Sequence, residues 1–399
     1  MINSLIGRLT KKHNKKDIRQ TLLLFLAKNS LADVLSSLLE KAKTKRYEDL
    51  ENLAYLYLLI GETAQARQLM MDNGLYNHNI CIKASILQGI PVADMLDQIM
   101  EYEEKITKDQ AFLLARGVKT NEDKTKLKNI LLRGNPMSGE SSTWKLRIIG
   151  EASRRIGDYK DAMQAYRRAF NLTCPRDIQE LSSDKNETSS TQQKKVKEFH
   201  CEKAWKALHD FKNLAEKGWV LDAGTLLGFI REGNFLQHDY DLDISFVDKQ
   251  SFLATKDLLY RSPFFEMKPG RVVEVFKVRH LNGMNLDIFL YKKEGTQMVK
   301  ESHVYRWVFN HFDVIEQQFG NITLPVPSKA EKHLEETYGD WWVPRKNFDG
   351  RYDALNVSFP NIDELECVIL NKAVKALTRN DYGAAKKELN MLKRIGRSH

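Results

Sequence analysis

Asp239, Asp241 and Asp243 stand at every second position of the stretch "HDYDLDIS", with Tyr240, Leu242 and Ile244 between them. Successive side chains of a β-strand point to opposite faces, so this spacing puts three carboxylates on one side and the apolar residues toward a core. Like charges that close destabilise the fold unless something positive sits among them. A divalent cation is the first expectation, and the rest of the chain has to supply its surroundings.

The chain has 399 residues, enough for two or three domains with real cores, and its 42% hydrophobic content excludes a largely disordered protein. A net charge of +9 favours an acidic partner: nucleic acid, an anionic membrane surface or a phosphorylated substrate. Lys and Arg are spread along the chain rather than blocked, so an ordinary solvated basic surface explains the charge equally well. Cys81, Cys174, Cys201 and Cys367 are far apart and form no CxxC or Cys/His cluster, which argues against zinc and against a disulfide framework. The apolar run "LLLFLA" in the basic N-terminus is too short for a secretory signal or a membrane span, and no other stretch is long and apolar enough to cross a bilayer. The sequence therefore predicts a cytoplasmic protein, in contact at most with the inner face of a membrane.

Apolar residues recur at three and four through residues 1–176, as in "DLENLAYLYLLIGETAQARQLMM", which predicts an all-helical domain. Within it, Gly157, Tyr159, Ala162, Tyr166, Ala169 and Pro175 have the spacing of a tetratricopeptide-like hairpin: a glycine turn, small residues where helices touch, an aromatic and a terminating proline. Gly61 with Ala66, and Tyr382 with Ala385, match it in part, Asn380 replacing the glycine in the latter. Residues 177–195 contain "SSDKNETSSTQQKK", which has nothing to bury and predicts a linker. Residues 196–350 then change pattern, and residues 351–399 return to helix. Short strands at "WVLDAG" and "DLDISFV" enclose the helix "TLLGFIRE", and "KQSFLATKDLLY" is a further helix. Strands "RVVEVFKVRH" and "MNLDIFLY" join across Asn282-Gly283, a strong hairpin signal. The expected fold class is α+β, a mixed-sheet domain flanked by α-helical regions.

The hairpin brings in a fourth carboxylate. Asp287 sits between Leu286 and Ile288, where an ionised group needs a partner. If its strand lies beside "DLDIS", then Asp241, Asp243 and Asp287 can hold one or two Mg2+ or Mn2+ ions, and two-ion sites clamp the attacking and leaving oxygens of a phosphoryl displacement. Gly224 and Thr225 lie between a strand and a helix, where backbone N–H groups can face an anion, although capping is the ordinary use of a threonine there. Arg231, Lys277 and Arg279 are candidate phosphate ligands, against the commoner role of exposed strand cations for the last two. His238 and His280 are expected as hydrogen-bonded surface residues rather than bases. Gly-Thr, helix, Asp-x-Asp strand and a later acidic strand, in that order, form the nucleotidyltransferase pattern.

More narrowly, "WVLDAGTLLGFIREGNFLQHDYDLDISF", "LDIFLY" and "LPVPSKAEKHLEETYGDWWVPR" resemble, in order, three blocks of the LicD/fukutin family. The resemblance covers about residues 200–350 and not the helical ends. Where the family usually has Pro-Trp before the first aspartate, this chain has Gln237-His238. The resemblance implies a nucleotidyltransferase-like domain that transfers a phospho-alcohol, such as phosphocholine or ribitol or glycerol phosphate, from a CDP-linked donor to a hydroxyl of a cell-surface glycan, with CMP leaving. Capsule or lipopolysaccharide are acceptors of that class. Asp241, Asp243 and Asp287 would hold Mg2+, and Asp239 would bind a second ion or take the acceptor's proton. Trp341 and Trp342, in "YGDWW", close the site or stack on a sugar or base.

Two other readings stay open. One is transfer of a nucleotidyl group from an NTP to RNA or a small molecule, distinguished by release of pyrophosphate rather than CMP. The other is a non-catalytic helical-repeat adaptor, which the full acidic set disfavours. The helical N-terminus suggests a protein partner or self-association, and nucleic acid is the less favoured ligand.

Overall fold

The computed structural model describes residues 26, 30–133, 140–174, 201–237, 240–268, 274–302, 304–345 and 348–396. The chain separates into two compact units, Met1–Gln88 with Phe199–Ser358, and Gly89–Glu198 with Phe359–His399. This differs from the division read along the sequence: the helices up to Gln88 group with the sheet, and those after it group with the C-terminal helices. The expected linker at 177–195 lies outside the described residues.

The first unit is built on a mixed sheet. Its strands are β1 (Trp219–Leu221), β2 (Asp241–Phe246), β3 (Phe265–Lys268), β4 (Val275–His280), β5 (Asn285–Glu294), β6 (Gln297–Ser302), β7 (Tyr305–Asn310) and β10 (Val357–Ser358). A separate pair is formed by β8 (Val314–Phe319) and β9 (Ile322–Pro327). β2 pairs antiparallel with β1 and parallel with β5. The first half of β5 also pairs with β4, and its far half turns to β6, so one ten-residue strand joins both ends of the sheet. The β4–β5 hairpin forms as expected, with Gly283 at φ +100° and its N–H donating to the His280 carbonyl at 2.8 Å. Strands β6 to β9 carry no alternation clear enough to have been assigned from sequence.

Leu242, Ile244 and Phe246 of β2, Leu286, Ile288 and Leu290 of β5, and Phe276 and Val278 of β4 are buried together with Ala204, Leu208 and Phe211 of the helix Cys201–Leu214. That is the apolar side of the alternation seen in the sequence. Helix Ala223–Glu232 connects β1 to the loop before β2. A Cβ at Gly228 would lie 2.6 Å from the Asn234 carbonyl oxygen, so glycine is what lets that loop cross back over the helix toward the acids.

Helices Leu31–Ala42, Tyr47–Leu59, Thr63–Asp72 and Asn79–Leu87 form a core around Leu53, Leu56, Ala66 and Met70 that also takes in Leu281 of the hairpin turn. The first begins with a reciprocal capping box between Ser30 and Asp33. Tyr55 donates its hydroxyl to Glu266 of β3 at 3.1 Å, and Lys83 pairs with the same carboxylate. These helices belong to the sheet's own unit.

In the second unit, Glu140–Arg155 and Tyr159–Thr173 pack together, joined through Gly157 at φ +82°. Tyr166 is fully buried against Gly150, where a Cβ would come within 2.6 Å of the ring. Ala162 and Ala169, the small residues of the expected hairpin, are buried, as is Ala165; Pro175 lies outside the described residues. Helices Ile362–Leu377 and Tyr382–Arg394 complete this unit, with Asn380 at φ +55° in the left-handed place that Gly157 takes in the other hairpin.

Candidate active site

The parallel register of β2 and β5 sets Asp243 beside Asp287 and Asp241 beside Asn285. β4 continues the row, with Lys277 opposite Asp287 and Arg279 opposite Asn285, and β3 adds Lys268 and Glu266. Laterally paired residues share a face, so one side of the sheet carries Asp241, Asp243, Asp287, Lys277, Arg279, Lys268 and Glu266, with the core on the other. The carboxylates expected to converge are on adjacent strands. Asp239 and His238 lie outside the described residues.

The Gly-Thr turn docks onto the same row. The Gly224 N–H donates to Asp243 Oδ2 at 3.3 Å, and the Asp243 N–H donates to Thr225 Oγ1 at 2.8 Å. Thr225 is 1% exposed, so its hydroxyl ties the helix to β2 rather than facing a ligand or capping the helix. The cap is Asp222, whose Oδ1 accepts the Ala223 N–H at 2.7 Å.

Asp287 is 9% exposed, buried as its place between Leu286 and Ile288 requires, and the Lys277 ammonium pairs with it. Lys268, not singled out by sequence reasoning, donates to Asn285 Oδ1 at 2.6 Å. Burial lowers its pKa, with Lys277 and Arg279 adding to the fall and Asp287 opposing it. Arg231 is not brought to the acids: its guanidinium donates to the Trp341 carbonyl at 3.3 Å and pairs with Glu232 at 2.9 Å, tying its helix to "YGDWW". His280 is hydrogen-bonded as expected but fully buried rather than on the surface. It accepts the Asn282 N–H on Nδ1, and Nε2 meets Asp210 at 3.0 Å. The odd-even alternation of β4, which exposes Lys277, turns His280 to the core.

Whether these residues suit a divalent cation depends on donor type and face. Three carboxylates offer hard oxygens from one face, and the Lys277 ammonium against Asp287 shows that this spot attracts positive charge. Among the described residues no group of three or more His, Cys, Asp or Glu side chains is gathered tightly enough to hold a metal ion. The donor type suits Mg2+, whereas the placement brings Asp243 and Asp287 side by side with Lys277 on the latter, short of a gathered set of three.

Sequence reasoning missed a second cluster further along this face. Asp222, 1% exposed, accepts hydrogen bonds from Ser245, from Tyr291 at 3.2 Å and from Lys300 at 2.7 Å, with His333 Nε2 3.6 Å away. Burial pushes its carboxyl up, but Lys300 and His333 outweigh that and hold it well below the usual carboxylate range. Burial, and then the charge of Asp222, push the Tyr291 phenol well up. The signal was present as Lys300, a cation directly after the apolar pair Met298-Val299, but its partner is 78 residues away in the chain.

Residues 218–329 match the LicD/FKTN/FKRP nucleotidyltransferase domain. The chain is also similar to ribitol-5-phosphate transferase FKTN of Macaca fascicularis, 26% identical over 153 residues, 35% of this chain and 32% of the relative. The Homo sapiens protein of that name is 25% identical over the same length, and the Mus musculus one 26% over 167 residues. The chain thus spans about a third of the length of the curated relatives it matches. No helix among the described residues is long and apolar enough to cross a membrane. The segment that is similar to the LicD/FKTN/FKRP nucleotidyltransferase domain contains β1, the Gly-Thr helix and both acidic strands.

Proposed function

We propose that this chain transfers a phospho-alcohol from a CDP-linked donor to a glycan hydroxyl and releases CMP. The observation that carries the reading is Asp243 beside Asp287, docked under the Gly224 amide and next to three cations, in a domain of this family. Relatives named as ribitol-5-phosphate transferases support ribitol phosphate among the candidate groups, with glycerol phosphate and phosphocholine as the others.

The acceptor oxygen attacks the phosphorus carrying the alcohol, the bond from that phosphorus to the bridging oxygen breaks, and CMP leaves with that oxygen. The acceptor's proton passes to a carboxylate, with Asp239 as the candidate. Lys268, Lys277 and Arg279 bind the diphosphate from the β3–β4 side, and Lys277 leaves Asp287 to do so. Mg2+ or Mn2+ held by Asp241, Asp243 and Asp287 would neutralise the diphosphate and lower the pKa of the attacking hydroxyl. An acidic or membrane-borne glycan suits the basic chain, and a membrane-borne one would put the reaction at the inner face of a membrane.

The test is to incubate the chain and Mg2+ with CDP-ribitol, CDP-glycerol or CDP-choline, and separately with NTPs, following CMP and pyrophosphate by chromatography. CMP from one CDP-alcohol, lost in Asp243→Asn, is the expected result. Pyrophosphate from an NTP with no CMP from any CDP-alcohol would establish nucleotidyl transfer instead.

A further inference from the structure

Asp222 is held far more firmly than a helix cap needs. Its carboxylate takes the Ala223 N–H, the Ser245 and Tyr291 hydroxyls and the Lys300 ammonium, whereas a capping aspartate ordinarily takes one or two backbone N–H groups. Lys300 is 5% exposed and lies within 5.0–5.7 Å of the ring centroids of Phe289, Tyr291, Trp307 and Phe309. An ammonium enclosed in that way needs a partner, and Asp222 is the one 2.7 Å away.

What this pair holds is a strained turn. Ala223 has φ +42°, a left-handed conformation that costs a residue with a Cβ and persists only where its surroundings impose it. Asp222 grips it from one side through the Ala223 N–H. On the other side the Asp222 N–H donates to the Asp243 carbonyl at 3.1 Å, extending the β1–β2 ladder by one residue. The next two residues contact Asp243 directly, through the Gly224 N–H on Oδ2 and the Thr225 hydroxyl on the amide. A continuous path of hydrogen bonds therefore runs from Lys300 through Asp222 and the bent Ala223 to both the backbone and the carboxylate of Asp243.

We propose that the buried Asp222–Lys300 pair is a positioning device for the active site: it keeps the Ala223 turn bent so that the Gly224 amide and the Asp243 carboxylate stay aimed at the reacting phosphate. This rests on the function proposed above for its chemistry, but the positioning itself is a property of the chain. The pair touches no substrate. It acts on turnover through Asp243, and donor affinity, which comes from the β3–β4 cations, stays outside its reach.

The decisive variants are Asp222→Asn/Lys300→Met, which removes both charges together, and Tyr291→Phe, which removes one donor to Asp222 with almost no change in volume. Two readouts are taken on each: amide hydrogen exchange of the segments 219–226 and 241–246, and steady-state CMP release from the CDP-alcohol that the wild type uses. In the double variant, exchange in both segments should rise by about tenfold or more. Its kcat should fall about 100-fold with donor KM within about threefold. Tyr291→Phe should move both readouts the same way by less. Wild-type exchange in these segments in both variants, or unchanged kcat in either folded variant, overturns the proposal. If the wild type releases CMP from no CDP-alcohol, the proposed reaction fails, while the exchange result still decides whether the pair holds the turn.

Discussion

Two lysine–aspartate pairs lie on one face of one sheet, and they are built to opposite ends. Lys277 and Asp287 are cross-strand neighbours at the open side, with the lysine side chain 51% exposed. The side chains of Lys300 and Asp222 are 6% and 1% exposed, and aromatic rings enclose the ammonium. The first cation can swing into water at the loss of that pair alone, so it is a replaceable counter-ion for Asp287. The second has nowhere to go, and its partner is saturated with donors. The exposure of the lysine, more than the kind of residue, separates the two pairs.

The largest effect expected from this contrast falls on activity. Asp287→Ala should lower CMP release about 10,000-fold, on the order of 5 kcal/mol of transition-state stabilisation, because it removes a carboxylate central to the proposed phosphoryl site. Its melting temperature should stay close to wild type, since Lys277 is exposed enough to be solvated alone. A collapse of stability with activity would make Asp287 a fixture like Asp222. Next comes Lys300→Met, which leaves Asp222 buried without its cation. Urea unfolding should show a loss of about 3–5 kcal/mol, much of it restored by adding Asp222→Asn. A loss under about 1 kcal/mol would mean that the inner pair is no firmer than the outer one.

Lys277→Met should cost at most about 1 kcal/mol of stability, as exposed pairs do. The informative measurement is the rise in melting temperature on adding Mg2+. That rise should be larger in the variant, because nothing then competes for Asp287. An equal rise in both proteins would place cation binding away from Asp287.

The contrast also explains what could be seen in the sequence. Asp241, Asp243 and Asp287 announce themselves through strict alternation with apolar neighbours, and the Asn282-Gly283 turn fixes the hairpin that delivers the last of them. Asp222 looks like any residue ahead of a helix, because its four donors come from the first residue of that helix, β2, β5 and β6, and only the tertiary fold assembles the last three. Thr225 and Arg231 were singled out by spacing as ligand contacts, and both are spent on internal hydrogen bonds, since spacing along a helix does not tell which neighbour a side chain will meet. The helices show the same limit. Periodicity of 3.6 identifies a buried face but not its partner, so residues 31–87 and 92–173 look like one helical domain although the first set shares a core with Leu281 of the hairpin. A chain beginning at Lys194 would lose that covering.

Asp210 tests the scale between the two pairs, because it is less enclosed than Asp222 yet bonded to a buried histidine. Burial raises its pKa, but hydrogen bonds from His280 and Lys206 outweigh that and bring it down to about 2; His209 Nδ1 lies 3.4 Å away. A carboxyl depressed in the folded state stabilises the fold above its unfolded pKa near 4 and loses that contribution as pH falls toward the folded value. Asp210 is therefore worth its full amount at neutral pH and loses it between about pH 4 and 2. With water screening this partly accessible helix position, the amount is about 1 kcal/mol. Urea unfolding of wild type and Asp210→Asn at pH 5 and pH 2.5 should show the gap between them narrowing by about that much. A gap that stays constant would mean that the His280 contact is a neutral hydrogen bond, and that only fully enclosed carboxylates such as Asp222 make the fold of this domain sensitive to acid.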